Sequence, residues 1–472
     1  ESLPRLLIAI DEYQQMYLEA DGRLCDRLND AFETIAKEGR AFGVHLLLCS
    51  QSPRITDFRE SIYRQMAVRM AMNMDRDTAS LIMADNNTSV IDYLDRAGRL
   101  AYNDRLGKKD YNLIGQVAFV SLEARRAAME TILKKSKSTD FHQSTPTFVF
   151  NGISNAKLHH NQEFIKISQS EYWLAPKELN QEFFKEKGWI SLEHPCATWA
   201  GESMQIGCNV RLVFKRRSRS NLAIIGNTEN EIYGILGAIV LGLPQTCSPQ
   251  RISFQLIDLF LSEEEEAQVL THFNDAFKDI FDISYGKRFI TSGEDVVKAN
   301  VVWSQVYAEF SRRVQLRSDN PDSIDLGKTI FCVFALGSLS QMDCFRPVAG
   351  RISDEISPEA TKLLEVASQG PELGIHIILW LSDVKAMQML FAGKRSAIGN
   401  FDHRICLKLS DRDSQDFLGE NVAKNLKDSQ AYYKDISMPD IPEKFRTYAA
   451  LYPQQIKHYA LRLKERLVLK EE

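Results

Sequence analysis

Near the start of this 472-residue chain two carboxylates stand side by side, Asp11 and Glu12, directly after the apolar run Leu6-Leu7-Ile8-Ala9-Ile10. Unbroken apolarity over strand length predicts a central parallel strand covered on both faces. Open parallel sheets bind ligands at the carboxyl ends of their strands, so the pair stands where chemistry can be done. In a nucleotide-hydrolysing site the first acid would hold Mg2+ through water, and the second would polarise the attacking water. An acidic pair that merely ends a strand and caps the next turn accounts for the same two residues.

The next segment supplies context. A helical stretch over residues 22–39 leads into Gly39-Arg40-Ala41-Phe42-Gly43-Val44-His45, a second apolar strand at Leu46-Leu47-Leu48-Cys49, and then Ser50-Gln51-Ser52-Pro53. A glutamine at the end of a neighbouring strand can reach a γ-phosphate or its water. This order of DE, GRxxGxH, apolar strand and SQ resembles the FtsK/SpoIIIE motor family, of the RecA-like HerA/FtsK superfamily. The resemblance covers residues 4 to about 120. It implies an α/β fold of RecA-like P-loop modules, with mainly parallel sheets flanked by helices. It also implies ATP and Mg2+ as cofactors and Asp11, Glu12 and Gln51 as catalytic residues, with Asp11 on the metal. Ser52 stands where the family usually has arginine, which puts a role for that arginine in doubt.

The segment recurs. Residues 38–51 read EGRAFGVHLLLCSQ and residues 369–382 read QGPELGIHIILWLS, so that Gly39, Gly43 and His45 match Gly370, Gly374 and His376. Asp75-Arg76-Asp77 is echoed by Asp411-Arg412-Asp413, and GRLAYND at 98–104 by SQAYYKD at 429–435. Three blocks in one order predict two copies of one module.

In the second copy the phosphate loop is expected after the strand Asn221 to Ile225, at Gly226-Asn227-Thr228-Glu229-Asn230-Glu231-Ile232-Tyr233. A working loop reads GxxxxGKS/T, in which glycines open the backbone to phosphate, lysine neutralises it and the hydroxyl binds Mg2+. Only Gly226 survives. Glu231 stands at the second glycine, Ile232 at the lysine and Tyr233 at the hydroxyl. In the matching acidic strand, Ala335-Leu336 replaces the carboxylate pair, and Ser382 and Pro371 replace Gln51 and Arg40. This second site is expected to reject ATP. Asp343 is read as a loop residue, not a displaced acid.

The remaining features set bounds. A net charge of -5 gives no global attraction to nucleic acid. Eight cysteines without CxxC pairing suit a reduced, cytoplasmic protein, and no apolar run reaches membrane-spanning length. The basic stretch Lys215-Arg216-Arg217-Ser218-Arg219 could touch DNA, a neighbouring subunit or only water, and the acidic run 262–266 suits an exposed helix start. The expected domains are 1–135, the carboxyl-terminal half of a first module; 136–205, a connecting region with a β-lead; 206–452, a degenerate second module; and 453–472, a helical tail. The opening, which lacks Met and enters a strand almost at once, predicts upstream segments that complete the first site and could associate with a membrane. The family resemblance implies a double-stranded DNA translocase working as a self-associated ring, with Arg40, Arg64 or Arg69 reaching across a subunit boundary. Its alternatives are a tandem-module type VII secretion motor acting on protein substrates, and a non-catalytic scaffold.

Overall fold

Glycine-punctuated turns and apolar runs fold the chain into two units, residues 1–145 and 146–472. The computed structural model describes residues 5–18, 20, 22–138, 154–185, 193–205, 207–259, 268–287, 296–320, 326–337, 356–391, 395–438 and 441–468.

In the first unit β1 (Leu6–Ile10) pairs in parallel with β2 (Val44–Leu48), from Leu6 opposite Val44 to Ile10 opposite Leu48. The crossover is α1 (Gly22–Glu38), which ends in a 3-10 turn over Gly39–Phe42. Gly43 then takes the left-handed conformation, φ 72°, that L side chains resist. A Cβ on Gly39 would lie 2.7 Å from the Val44 carbonyl oxygen, so the turn closes only with glycine there. A second sheet, β3 (Arg69–Ala71), β4 (Arg99–Asn103) and β5 (Leu113–Gln116), is antiparallel. Helix α2 (Arg76–Ile82) lies between β3 and β4, and α3 (Leu122–Ser138) follows β5.

The expectation that β1 is covered on both faces needs correction for this unit. Leu6 is 54% and Leu7 62% exposed, and β1 and β2 form a sheet of two strands.

The second unit carries ten strands in one sheet: β6 (Cys196–Ser203), β7 (Asn209–Phe214), β8 (Leu222–Ile225), β9 (Ile252–Asp258), β10 (Ile283–Lys287), β11 (Thr329–Gly337), β12 (Ile375–Leu381), β13 (His403–Cys406), β14 (Gln430–Asp435) and β15 (Glu443–Thr447). The spatial order is β10-β9-β11-β12-β8-β13-β14-β15-β6-β7. Pairing is parallel from β10 to β13 and antiparallel from β13 to β7. One core lies on each face. Helices α4 (Glu229–Thr246) and α5 (Val269–Phe277) contribute to the first, and α6 (Val296–Asp319) and α7 (Pro358–Gln369) to the second. After β13 comes α8 (Asp411–Leu418), and after β15 comes α9 (Pro453–Val468), whose Ile456, Ala460 and Leu463 join the first core. Phe164, Ile167, Leu179 and Phe184, from the stretch read as connecting, belong to that core as well.

The two units repeat each other in detail. Gly370–Leu373 forms the same 3-10 turn, Gly374 has φ 77°, and a Cβ on Gly370 would lie 2.9 Å from the Ile375 carbonyl. Gly98 and Ser429, which precede β4 and β14, are both left-handed, at φ 78° and 61°. The correspondence proposed for the two D-R-D triplets is one residue out of register. The helix caps are Asp75, accepting from Thr78 N, and Ser410, accepting from Asp413 N.

Candidate functional site

The acidic pair sits where β1 ends and the chain must turn. Tyr13 and Tyr17 anchor this turn by packing on Phe58, with ring centroids 5.2 and 5.6 Å away. The Tyr13 and Tyr63 hydroxyls meet, and Tyr63 also donates to the Pro53 carbonyl at 2.8 Å. Tyr13 N–H donates to the Cys49 carbonyl and Cys49 N–H to that of Ile10, which ties the ends of β1 and β2 together. Gln51 is thereby brought to Glu12. Its Nε2 donates to Glu12 Oε1 at 2.6 Å, and its backbone N–H approaches Oε2 at 3.4 Å. Gln14 Nε2 also donates to Oε2. Hydrogen bonds from Gln14, then from the Gln51 backbone and side chain, hold the Glu12 carboxyl below the usual carboxylate range. Asp11 stands exposed beside it.

Glu12 is itself strained, with φ 51°. Left-handed backbone costs an L residue about 1–2 kcal/mol. At the end of β11 in the second unit the left-handed step, φ 57°, is taken by Gly337, because Leu336 is bulged out of the ladder. A glutamate is held in one unit where the other uses glycine, and strain of this kind gathers at functional sites. The sequence correspondence of Glu12 with Leu336 missed this, since a bulge leaves no mark in composition. Gln14 was missed too; the signal would have been an amide two residues beyond a candidate acid, which no motif encodes.

The three candidate arginines part company. Arg69 is half-buried and donates to the carbonyls of Met66, Tyr63, Ile82 and Met83. Arg404 in the second unit donates to Phe401, Ile398 and Phe417, the same positions relative to itself as Met66, Tyr63 and Ile82 are to Arg69. Arg69 is a structural cation that both units share. Arg40 and Arg64 are exposed, and Arg64 makes a 3.8 Å ion pair with Glu60.

In the second unit the segment 226–233 is closed by side chains. Trp380 Nε1 donates to the Gly226 carbonyl at 2.9 Å, and a Cβ on Gly226 would lie 2.6 Å from Leu407. Glu231 is 7% exposed; its Oε1 accepts from Ser429 N–H at 3.2 Å and its Oε2 has no partner. Ile232 is core, and Tyr233 packs edge-on to Trp380 with centroids 6.0 Å apart. Ala335 and Leu336 are buried. Asp258 lies opposite Ala335 in the sheet, but its carboxylate is buried and takes the Tyr285 hydroxyl at 3.3 Å. These residues do not fit a nucleotide: lysine is absent and a carboxylate occupies the loop.

The first unit fits the acid half of a Mg-ATP site. Among the described residues no group of three or more acidic, His or Cys side chains could hold a metal. The basic stretch 215–219 is engaged internally: Arg216 donates to the Gly327 carbonyl at 2.6 Å, Arg217 to Ser437, and Arg219 pairs with Asp402. The acidic run 262–266 and Asp343 lie outside the described residues. Among the described residues no helix is long and apolar enough to cross a membrane.

No sequence-family model and no curated protein matches the chain. Solved structures do. The cytoplasmic domain of the Thermomonospora curvata type VII secretion ATPase EccC aligns with 98% of this chain and 50% of its own, at 13% identity and TM-score 0.57. ATPases 2 and 3 of the same EccC, in complex with a signal sequence peptide, align with 94% of this chain and 68% of their own (14% identity, TM-score 0.47). EssC ATPases 2 and 3 from Geobacillus thermodenitrificans align with 95% and 72% (12% identity, TM-score 0.47). The chain thus spans half the length of the EccC cytoplasmic domain and shares the fold of that ATPase domain.

Proposed function

We propose that this chain belongs to an ATP-driven motor in which the first unit supplies the acid-and-sensor half of a live ATP site and the second is a pseudo-ATPase module. The observation that carries this reading is a gap. In the second unit β8, the strand leading into the degenerate phosphate loop, lies between β12 and β13. Their counterparts in the first unit, β2 and β3, fall in separate sheets with no described strand between them. Two further surfaces agree. The residues of β5 are all exposed, whereas its counterpart β15 is covered by β6. Met129 and Ile132 of α3 are exposed, whereas the matching Ala460 and Leu463 of α9 are buried in a core shared with α4 and α5. A segment built like residues 196–277, with a working phosphate loop, would fill all three. ATP would then lie between that loop and Asp11, Glu12 and Gln51. Asp11 would hold Mg2+ through water, and Glu12 would polarise the attacking water.

For the transported substrate we favour a polypeptide over double-stranded DNA. The cytoplasmic domain of a type VII secretion ATPase shares this fold over 98% of the present chain, and the basic stretch most suited to a DNA backbone is engaged in internal contacts. Ring formation, with Arg40 or Arg64 facing a neighbour's site, belongs to the same reading.

Steady-state ATPase assays test it. Residues 1–472 alone are expected to show background hydrolysis, and a supplied phosphate-loop segment should restore Glu12-dependent turnover. Hydrolysis by residues 1–472 alone that survives Glu12→Gln and is lost on changing residues 226–233 would contradict it.

A further inference from the structure

We propose that Gln14 is a positioning residue for Glu12, holding its carboxylate in the direction from which it can act. This rests on the reading of Glu12 given above. The two residues lie two positions apart in the turn that follows β1, and the Gln14 amide donates to Glu12 Oε2 while Gln51 donates to Oε1. Both carboxylate oxygens are therefore fixed by neutral amides, one from each strand end.

The two clamps differ in kind. Gln51 is exposed in a loop and can leave Glu12 when a phosphate or water competes for its amide. Gln14 is 8% exposed, and its backbone carbonyl accepts from Tyr17 and Leu18 N–H. Its neighbours Tyr13 and Tyr17 are anchored in the aromatic cluster with Phe58. It cannot swing away without unpacking the turn.

A purely structural glutamine would be expected to satisfy both ends of its amide. Gln14 does not: its Oε1 is buried with no hydrogen-bond partner. Such an orphaned acceptor is destabilising, and methionine, of nearly the same shape, would remove it. The arrangement sacrifices local stability to place one N–H against a strained glutamate, and misplacement of a reacting group by about 1 Å can cost about 100-fold in rate.

The test compares Gln14→Met with Gln15→Met, whose side chain is exposed, in the full chain. Three readouts are recorded: thermal unfolding, the side-chain amide resonances of Gln51, and kcat and KM for ATP in the hydrolysing assembly. Gln14→Met should keep or raise the unfolding temperature, shift the Gln51 amide resonances in the direction expected for Glu12→Ala, and lower kcat about 10- to 100-fold at unchanged KM. Gln15→Met should change none of these. A Gln14→Met protein that unfolds more easily yet keeps the Gln51 resonance and kcat would make Gln14 merely structural and overturn the proposal. If the wild-type assembly hydrolyses no ATP, the functional reading fails, and the Gln51 resonance still decides whether Gln14 positions Glu12.

Discussion

Gln51 and Glu12, 39 positions apart, meet at 2.6 Å through the Gln51 amide and the Glu12 carboxylate. The contact exists because β1 and β2 pair in register, so that both chain ends emerge at the same edge of the sheet. A strained acid and a polar side chain held together there form the local unit on which the functional reading is built.

The strain at Glu12 has a measurable counterpart. Gly337→Ala should destabilise the second unit by about 1–2 kcal/mol, the cost of left-handed backbone for an L residue. Glu12→Gly should leave the first unit no less stable, despite the lost hydrogen bonds. Chemical denaturation of each variant checks this, and a clear loss of stability in Glu12→Gly would show that the glutamate is not strained.

Arg69 and Arg404 should behave alike. Alanine at either leaves several carbonyls without their charged donor, and a loss of about 3 kcal/mol is expected in the unit concerned. Arg40→Ala and Arg64→Ala should stay within about 0.5 kcal/mol of wild type, as exposed substitutions do. One of these two should lower ATP hydrolysis strongly at unchanged stability, since an arginine acting across subunits contributes about 10³-fold or more. Denaturation and turnover measured side by side would reject the assignment if both exposed variants hydrolyse ATP at the wild-type rate.

Acid should weaken the second unit. Burial pushes the His376 imidazole down to about 3 and lowers His403 as well, while His376 Nδ1 donates to the Ser220 carbonyl at 2.7 Å. Both are neutral in the fold and protonate near 6.5 once unfolded. For His376 the unfolded chain binds more protons between the two values, so its stabilising effect is complete above about pH 6.5 and is lost as pH falls toward about 3, and His403 acts in the same direction. The slope is at most about 1.4 kcal/mol per pH unit for each group. Unfolding curves between pH 7 and 5 should show the loss, and His376→Asn should flatten it. An unchanged slope in that variant would assign the effect to other groups.

Much of this was legible in residue order, and the failures have physical reasons. The Gly39/Gly43 and Gly370/Gly374 pairs announced the repeat because a tight turn tolerates only glycine there, wherever the rest of the module has drifted. Glu12 and Gln51 could be paired since each ends an apolar strand. Arg69 could not be told from a working arginine, because burial against carbonyls from residues 63 to 83 arises only in three dimensions. The bare faces of Leu6 and Leu7 ran against their apolar sequence for a related reason. An apolar strand encodes its need for neighbours but not which residues supply them. The basic stretch 215–219 left DNA, a neighbouring subunit or water open as partners, until its guanidinium groups proved to contact carbonyl, hydroxyl and carboxylate oxygens of its own unit.

The proposed division into one live and one dead site is tested by paired turnover measurements in the hydrolysing assembly. Glu12→Gln should abolish hydrolysis while ATP stays bound, because the amide keeps the shape of the acid but cannot polarise water. Glu231→Ala and Tyr233→Ala should retain hydrolysis within about twofold, since the segment they belong to lacks the lysine, hydroxyl and acids of a working site. Robust turnover in Glu12→Gln, or its loss in Glu231→Ala or Tyr233→Ala protein that remains folded, would contradict this division between the two units.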